Sequence, residues 1–509
     1  MAKLEKIAQG IFFPGISSRR YRLWALVGVG VIQSGLMILL FSVTSPLRAF
    51  VAAVAIPGAI TLLFLPRLGV YILVACVIGQ WPWNIMRYIL MLVAASTLLW
   101  LLLHRKPLFP YNPILILVGV YLLFTLASTI NPLSRFEMWS GAAAYIGHFI
   151  LVWVVITLIT SRQSIQRVIG LMIFSGVVTA VVGLIQARTH FIWPASTTYY
   201  EMYFNSSFLQ EKSAMELQGW MGEFRIDSIT GTPDHLALYF QTLIPFVGFW
   251  LARQQSRVRQ LMGFSTLLLF GVVHLLSFTR GAIVTTVVVL ALIGWMIDKR
   301  RFVAFGPTLV LVGFLALLLW APTRERILSM LSPSHTVGTD AHLEPMKWRI
   351  LTLPVGVQML FERPLLGIGV GQQPYNWPVS ARSLIPDIEK PVPIHNSYLQ
   401  AGIEMGLGGL VVLLILMAVT VRHLRSLIKR FQLVGEEKLA DIARASLIAL
   451  IGMACAMVAY PMLETFRYFW LMFGVTGALM RIERSLQLTS FREGIHEANL
   501  ASIPATLRN

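Results

Sequence analysis

The chain has 509 residues, of which 56% are hydrophobic and only 13% are charged, and its mean hydropathy is +0.72. So little charge excludes a soluble domain of this size and predicts a protein that crosses the membrane many times. The net charge of +18 does not indicate nucleic acid in such a chain, because Lys and Arg in cytoplasmic loops set the orientation of membrane proteins.

The chain begins with a basic segment, residues 1–22, which we expect to be retained rather than cleaved as a signal. Fourteen apolar runs follow, and a helix needs about 20 such residues to cross a bilayer. They cover residues 23–43, 46–65, 68–82, 84–103, 113–130, 141–160, 167–186, 235–252, 260–277, 281–298, 302–321, 396–420, 444–462 and 466–480. Residues 68–103 are open to a second interpretation, a re-entrant segment plus one span. The prediction is an all-α polytopic integral membrane protein with about 12–14 transmembrane helices.

The distribution of positive charge predicts which segments face the cytoplasm. With the N-terminus inside, 26 of the 41 Lys and Arg residues lie in inside segments, and the short outside turns hold only five. Both termini are therefore expected in the cytoplasm, with two long extracytoplasmic loops between them. The predicted domains are an N-terminal bundle (23–186), a first outer loop (187–234), central helices (235–321), a second outer loop (322–395), C-terminal helices (396–480) and a cytoplasmic tail (481–509).

The second loop carries apolar residues at helical spacing over 344–362, which predicts an amphipathic helix lying against the membrane. This loop also contains glycines at 367, 369 and 371. They do not follow a strand, which argues against a nucleotide-binding loop. The second loop is therefore expected to be partly helical.

A proline-rich entry leads to His395 at the start of the next apolar run. Ser397 followed by Gln400 indicates a capping box that opens a helix there. Asn396, Gln400 and Glu404 are spaced four residues apart, so they form one polar stripe along this helix. A polar stripe in a membrane helix costs free energy unless it has partners or a function.

Three arginines in other outward-facing segments, Arg225, Arg280 and Arg349, converge with His395 in the predicted topology. Guanidinium groups bind phosphate oxygens bidentately, and a histidine can take a proton from a hydroxyl near neutral pH. Structural interpretations stay open for each residue. Arg225 and Arg349 can pair with loop carboxylates, Arg280 can extend to the interface, His395 can bond a helix end, and Glu404 can be a buried structural acid.

Four segments in this order resemble the O-antigen ligase family, which includes O-antigen and exopolysaccharide polymerases and bacterial O-oligosaccharyltransferases. The segments are Arg225 with 231–237, residues 277–281, Arg349 with 364–369, and 395–400 with Glu404, Gly406 and Gly409, within roughly residues 220–480. The first segment departs from the family pattern, because Asp234 stands where members usually have Asn.

The resemblance implies an inverting, metal-independent glycosyl transfer, without a cofactor, on the outer face of the bacterial cytoplasmic membrane. The donor would be a glycan on undecaprenyl diphosphate. Arg280 and Arg349 would stabilise the diphosphate as leaving group, and His395 would activate the acceptor hydroxyl. The remaining candidates for substrate binding are Arg225, Asn396, Tyr398, Gln400 and Glu404.

The residues agree with the expected absence of metal, since the outer loops carry no Asp-x-Asp pair and no His-x-x-x-His motif. The two cysteines, Cys76 and Cys455, lie in apolar runs and form no zinc motif.

Several functions stay open at this point. The acceptor can be lipid A core, a protein or the growing glycan, and membrane lipids and other polysaccharide assembly proteins are further possible partners. A transporter or flippase of lipid-linked saccharides is the main alternative, although its polar groups would lie at the bilayer midplane rather than in outer loops. A structural subunit of an envelope machine is a third hypothesis.

Overall fold

The computed structural model describes residues 65–78, 83–130, 132–189, 225–230, 232–300, 303, 345–382, 384 and 393–501. Every regular element in these residues is an α-helix, and they contain no strand. The helices are α1 (Pro66–Ile78), α2 (Trp83–Leu103), α3 (Pro113–Ala127), α4 (Arg135–Leu158), α5 (Arg162–Thr189), α6 (Pro233–Ala252), α7 (Arg257–Leu276), α8 (Arg280–Ile297), α9 (Pro345–Glu362), α10 (Gln373–Arg382), α11 (Ser397–Leu433), α12 (Glu437–Ala456) and α13 (Arg467–Ala501).

The chain divides into two compact units. One comprises Met1–Gly69 and Met91–Lys106, and the other comprises Val70–Leu90 and Pro107–Asn509. In the described part of the first unit, Gly69 packs closely against the side chain of Val93. All predicted site residues belong to the second unit.

The predicted fold class, an all-α polytopic membrane protein, is confirmed. Seven described helices are long and apolar enough to cross a membrane: Met86–Leu103, Arg135–Leu158, Arg162–Thr189, Pro233–Ala252, Arg257–Leu276, Ser397–Leu433 and Glu437–Ala456. Three shorter apolar helices are Pro66–Val77, Pro113–Ala127 and Gly281–Ile297. The predicted spans 23–43, 46–65 and 302–321 lie almost entirely outside the described residues.

Two helices, α3 and α6, begin where the sequence places a capping side chain directly before a proline. Asn112 accepts hydrogen bonds from the backbone N–H groups of Ile114 and Leu115, and Pro113 occupies the first helical position of α3. Thr232 caps α6 in the same way, with Pro233 as the first helical residue. The cap sets the start of α6, so positions 234 and 235 lie in its first turn.

The second unit is organised around α11. This helix packs against α3, α9, α12 and α13, and α12 packs in turn against α6 and α8. The predicted helix over 344–362 is present as α9. Its buried residues Val355, Met359 and Leu360 pack in one cluster with Trp377 of α10 and Ile403 of α11. The α9 helix therefore buries one face on the bundle.

Several boundaries differ from the prediction, among them the ends of α11 and α12. The run 396–420 continues as helix to Leu433, because the basic segment after it is also helix-forming. The run 444–462 stops being helical after Ala456, and residues 457–466 form a linker to α13. Pro461 lies in this linker and has no backbone N–H to continue the helix. The apolar part of α13, between Arg467 and Arg481, is too short to be counted among the seven long apolar helices.

Candidate active site

Arg225 connects the first predicted segment to the second. Its Nε donates to the carbonyl of Ser277 at 3.1 Å, and its Nη2 donates to Asp234 Oδ1 at 3.2 Å and to Thr279 Oγ1 at 3.3 Å. Thr279 Oγ1 also donates to Asp234 Oδ1 at 3.1 Å. Asp234, the position that departs from the family pattern, is therefore the carboxylate that pairs with Arg225.

Asp227, the other carboxylate close to Arg225 in the sequence, lies in a different network. Its Oδ1 accepts from Gln186 Nε2 at 2.6 Å, and the backbone N–H groups of Asp227 and Ser228 donate to Gln186 Oε1. Ser228 has a positive φ of 49°. The buried amide of Gln186 thus anchors residues 227 and 228 to α5.

The turn at 277–279 brings Arg280 to the first position of α8. Phe278 adopts a positive φ of 50°, a conformation that is uncommon for a bulky residue and that often marks a functional turn. Gly281 follows Arg280 and lies against the hydroxyl of Tyr460. The side chains of Arg280 and Arg349 lie outside the described residues.

His395 lies at the mouth of α11, half-buried, with Nδ1 2.8 Å from the carbonyl oxygen of Pro393. A carbonyl oxygen can only accept, so this contact is a hydrogen bond when Nδ1 carries the proton. In the neutral ring Nε2 is then the basic nitrogen. The backbone contact therefore favours the tautomer that a general base with Nε2 as acceptor requires.

The predicted capping box at Ser397 is wrong. The cap is Asn396, whose Oδ1 accepts from the N–H of Leu399 at 2.9 Å, and Ser397 is the first helical residue. The Ser397 hydroxyl cannot cap the helix because it is bound elsewhere: it donates to the carbonyl of Tyr460 at 2.6 Å and accepts from the N–H of Met462 at 2.7 Å.

Two residues of the predicted polar stripe on α11, Gln400 and Glu404, are hydrogen-bonded to each other. Gln400 Nε2 donates to Glu404 Oε1 at 3.1 Å, and the hydroxyl of Tyr145 reaches Glu404 Oε2 at 3.5 Å. Glu404 is 3% exposed, and the buried Oε1 of Gln400 finds no hydrogen-bond partner among the described residues. Tyr398, on another side of the helix, donates its hydroxyl to the carbonyl of Ala454 at 2.8 Å.

A break in α11 explains the glycine-rich segment after α9. Gly406 has φ 71°, and the helical hydrogen bonds around it are replaced by bonds to residues 364–369. Leu407 N–H donates to the carbonyl of Pro364, the carbonyl of Ile403 accepts from Ile368, and the carbonyl of Glu404 accepts from Gly369. Backbone groups in a membrane protein must be satisfied internally, and this loop satisfies them at the break.

Glycine is needed on both sides of this contact. A Cβ on Gly406 would lie 2.3 Å from the carbonyl oxygen of Leu365, and a Cβ on Gly367 would lie 2.4 Å from the carbonyl oxygen of Glu404. The glycines therefore let two backbones touch beside Glu404, which is a different role from holding a phosphate.

The linker at 457–466 was not predicted as part of the site. Besides Tyr460 and Met462, it contributes Thr465 Oγ1, 3.3 Å from His235 Nε2, and the carbonyl of Glu464, 2.9 Å from His148 Nε2. The sequence signals for this linker are Pro461 and Glu464, which interrupt an apolar stretch. The apolar residues on both sides of them led to spans predicted at 444–462 and 466–480, with almost no linker between.

The fold and these contacts define a polytopic membrane protein in which the mouth of α11, the 277–279 turn and the Arg225 segment share one end of the helix bundle. Residues 265–414 match the family model described as O-antigen ligase, which confirms the predicted resemblance to this family over these residues. The match supports glycan processing at the membrane by a glycosyltransferase-like ligase or polymerase. No curated protein matches the chain.

Proposed function

We propose that the protein transfers or polymerises a glycan from an undecaprenyl-diphosphate-linked donor on the outer face of the bacterial cytoplasmic membrane, with both termini inside. One observation carries this proposal: residue Tyr460 contacts both the Arg280 turn, at Gly281, and the mouth of α11, at Ser397. A cation suited to a diphosphate and a histidine suited to a hydroxyl are thereby built on neighbouring segments.

In this proposal Arg280 and Arg349 bind the donor diphosphate. As the bond between the anomeric carbon and the diphosphate oxygen breaks, negative charge grows on that oxygen. Positioned guanidinium groups stabilise this charge, and they need no metal ion to do so. Among the described residues, no cluster of three or more His, Cys, Asp or Glu side chains is placed to hold a metal ion.

His395 acts on the acceptor side. The acceptor hydroxyl attacks the anomeric carbon from the face opposite the diphosphate, so the configuration inverts. The hydroxyl proton passes to Nε2 of His395, and undecaprenyl diphosphate leaves with the electron pair of the broken bond. The contact of Nδ1 with the Pro393 carbonyl supports this role, because it holds the ring and favours the required tautomer.

The remaining predicted residues shape the acceptor side. Gln400 is held by Glu404, and its unsatisfied amide oxygen can accept a hydrogen bond from a sugar hydroxyl. Asn396 uses its Oδ1 as a helix cap, which leaves its amide NH2 for substrate. Tyr398 and Arg225 are bonded to the protein, so we assign them to holding the walls of the substrate site as well as contacting it.

The proposal is tested with purified protein in vesicles that contain a lipid-linked oligosaccharide, with and without an added acceptor. Longer glycan chains indicate a polymerase, and label on the added lipid A core or protein indicates a ligase. Donor that crosses the bilayer with no new glycosidic bond would overturn the proposal in favour of a flippase. The His395→Ala protein serves as the inactive reference.

A further inference from the structure

The linker at 457–466 joins α12 to α13 and lies outside the region that matches the family. Its start is bound to the first residue of α11. The N–H of Ser397 donates to the carbonyl of Met457 at 2.8 Å, and the Ser397 hydroxyl bridges Tyr460 and Met462. Three hydrogen bonds thus set the position of the helix turn that follows His395.

The same linker contacts the Arg280 turn through a side chain. The Tyr460 hydroxyl lies 2.6 Å from the position that a Cβ on Gly281 would take, and two ring carbons lie 3.1 Å from it. Tyr460 is 3% exposed, so its ring is held by packing on all sides. Because Gly281 is the residue after Arg280, the ring of Tyr460 limits where the Arg280 backbone can lie.

A third contact links the end of the linker to the Arg225 segment. Thr465 Oγ1 is 3.3 Å from Nε2 of His235, the residue next to Asp234, and the hydroxyl of Tyr468 donates to the carbonyl of His235 at 3.1 Å. The short stretch from Met457 to Tyr468 therefore touches three of the four segments that the proposed chemistry uses.

We propose that Tyr460 is a positioning residue that fixes the distance between the Arg280 turn and the mouth of α11. The inference rests on the proposed function, in which these segments hold donor and acceptor for one transfer step. Tyr460 itself does not touch substrate in this proposal. A displacement of about 1 Å between reacting groups can cost 10²-fold in rate, so a small shift of this ring is sufficient to matter.

The test uses Gly281→Ala, Tyr460→Phe and the double variant. The added methyl of Gly281→Ala meets the tyrosine hydroxyl and pushes the turn away, so transfer should fall by about 10²-fold while Tyr460→Phe alone falls only a few-fold. The double variant lacks the tyrosine hydroxyl that overlaps the added methyl, so its transfer should be about tenfold faster than that of Gly281→Ala. Its transfer should stay below that of wild type, because the ring carbons still lie close to the methyl. The matched control is Gly271→Ala in α7, where an added Cβ has nothing within 4 Å and should leave transfer unchanged.

Transfer is measured as kcat and KM separately, and the thermal unfolding midpoint is measured for all four variants. The positioning role predicts a loss in kcat and a non-additive double-mutant cycle in both rate and midpoint. Additive effects in both cycles, or wild-type transfer by Gly281→Ala, would overturn the inference. A non-additive midpoint cycle in a protein that transfers no glycan would instead support the contact and contradict the proposed function.

Discussion

The two ends of the helix bundle in the second unit use their charged residues differently. Where α6 ends and α12 begins, charged side chains pair with one another. Arg253 contacts both Asp441 and Glu437, and Arg444 Nη1 lies 2.5 Å from Asp441 Oδ1. Each charge in this cluster has an opposite charge beside it, so the cluster joins helices and has little capacity left for a ligand.

At the opposite end, where α11 begins, the polar groups have both backbone and side-chain partners. Arg225 has one carboxylate partner, Asp234, and its other contacts are the carbonyl of Ser277 and the hydroxyl of Thr279. His395 contacts the carbonyl of Pro393. These contacts orient the guanidinium of Arg225, whose charge Asp234 balances, and they hold the imidazole of His395 with Nδ1 directed at a carbonyl oxygen. In the proposed function, the first end stabilises the fold and the second end carries the reacting groups.

The largest expected effect separates His395, which precedes α11, from His423, which lies within α11. His395→Ala should slow single-turnover transfer by roughly 10²–10⁴-fold, the usual size of a lost general base, and should leave donor binding nearly intact. His423 lies near the other end of α11, and His423→Ala should change neither quantity. Rapid-quench transfer and equilibrium binding of labelled lipid-linked donor are measured on both variants. Loss of donor binding in His395→Ala would place this residue on the donor side instead.

The next effect separates two arginines that each open a helix. Arg280→Ala should weaken donor use by about 10²–10³-fold, because a positioned donor to developing charge is lost. Arg280→Lys should recover only part, since an ammonium cannot make the bidentate contact. Arg135 is the exposed first residue of α4, so Arg135→Ala is the matched control and should keep wild-type donor affinity. Equal losses in the two alanine variants would show a general effect of surface charge.

A smaller effect is expected at the break in α11, which lies on the site side of the comparison. Gly406→Ala adds a Cβ that overlaps the Leu365 carbonyl and also strains a positive φ, so unfolding should become easier by about 3 kcal/mol or more. Gly435 has nearly the same φ, 72°, with nothing near its Cβ position. Gly435→Ala therefore isolates the φ strain, at about 1–2 kcal/mol.

Chemical denaturation in detergent gives both free energies, and transfer is measured in parallel. We expect a loss of transfer of up to about 10²-fold for Gly406→Ala, because Glu404 and Gln400 precede the break, and none for Gly435→Ala. Similar destabilisation by the two substitutions would mean that the backbone contact with residues 364–369 contributes little.

The hydropathy of the sequence predicted the long apolar helices, because a helix needs about 20 apolar residues to cross a bilayer. It placed the end of α12 too late, because residues 457–459 and 462–463 continue the apolar run on both sides of Pro461, and hydrogen bonds of Met457 and Tyr460 to Ser397 turn the chain there. The candidate site residues near His395 could be proposed from the sequence because they are polar in an apolar context. The contribution of Tyr460 could not, since an aromatic residue near a helix end is ordinary for a membrane protein.

The smallest effect is expected at the fold-stabilising end, and it tests the comparison directly. Arg253→Gln removes one cation from the cluster with Asp441 and Glu437, but Arg444 still neutralises Asp441. Because the Arg253 side chain is 37% exposed and its partners retain another cation, the loss of stability should be no more than about 1 kcal/mol. Transfer should stay within about twofold of wild type, since no group at this end contacts substrate in the proposed reaction.

Arg225→Gln at the other end changes the same side chain in the same way, and we expect it to reduce transfer by more than Arg253→Gln does. Thermal unfolding and transfer are measured on both proteins. A larger loss of transfer in Arg253→Gln than in Arg225→Gln would contradict the division of the bundle into a stabilising end and a reactive end.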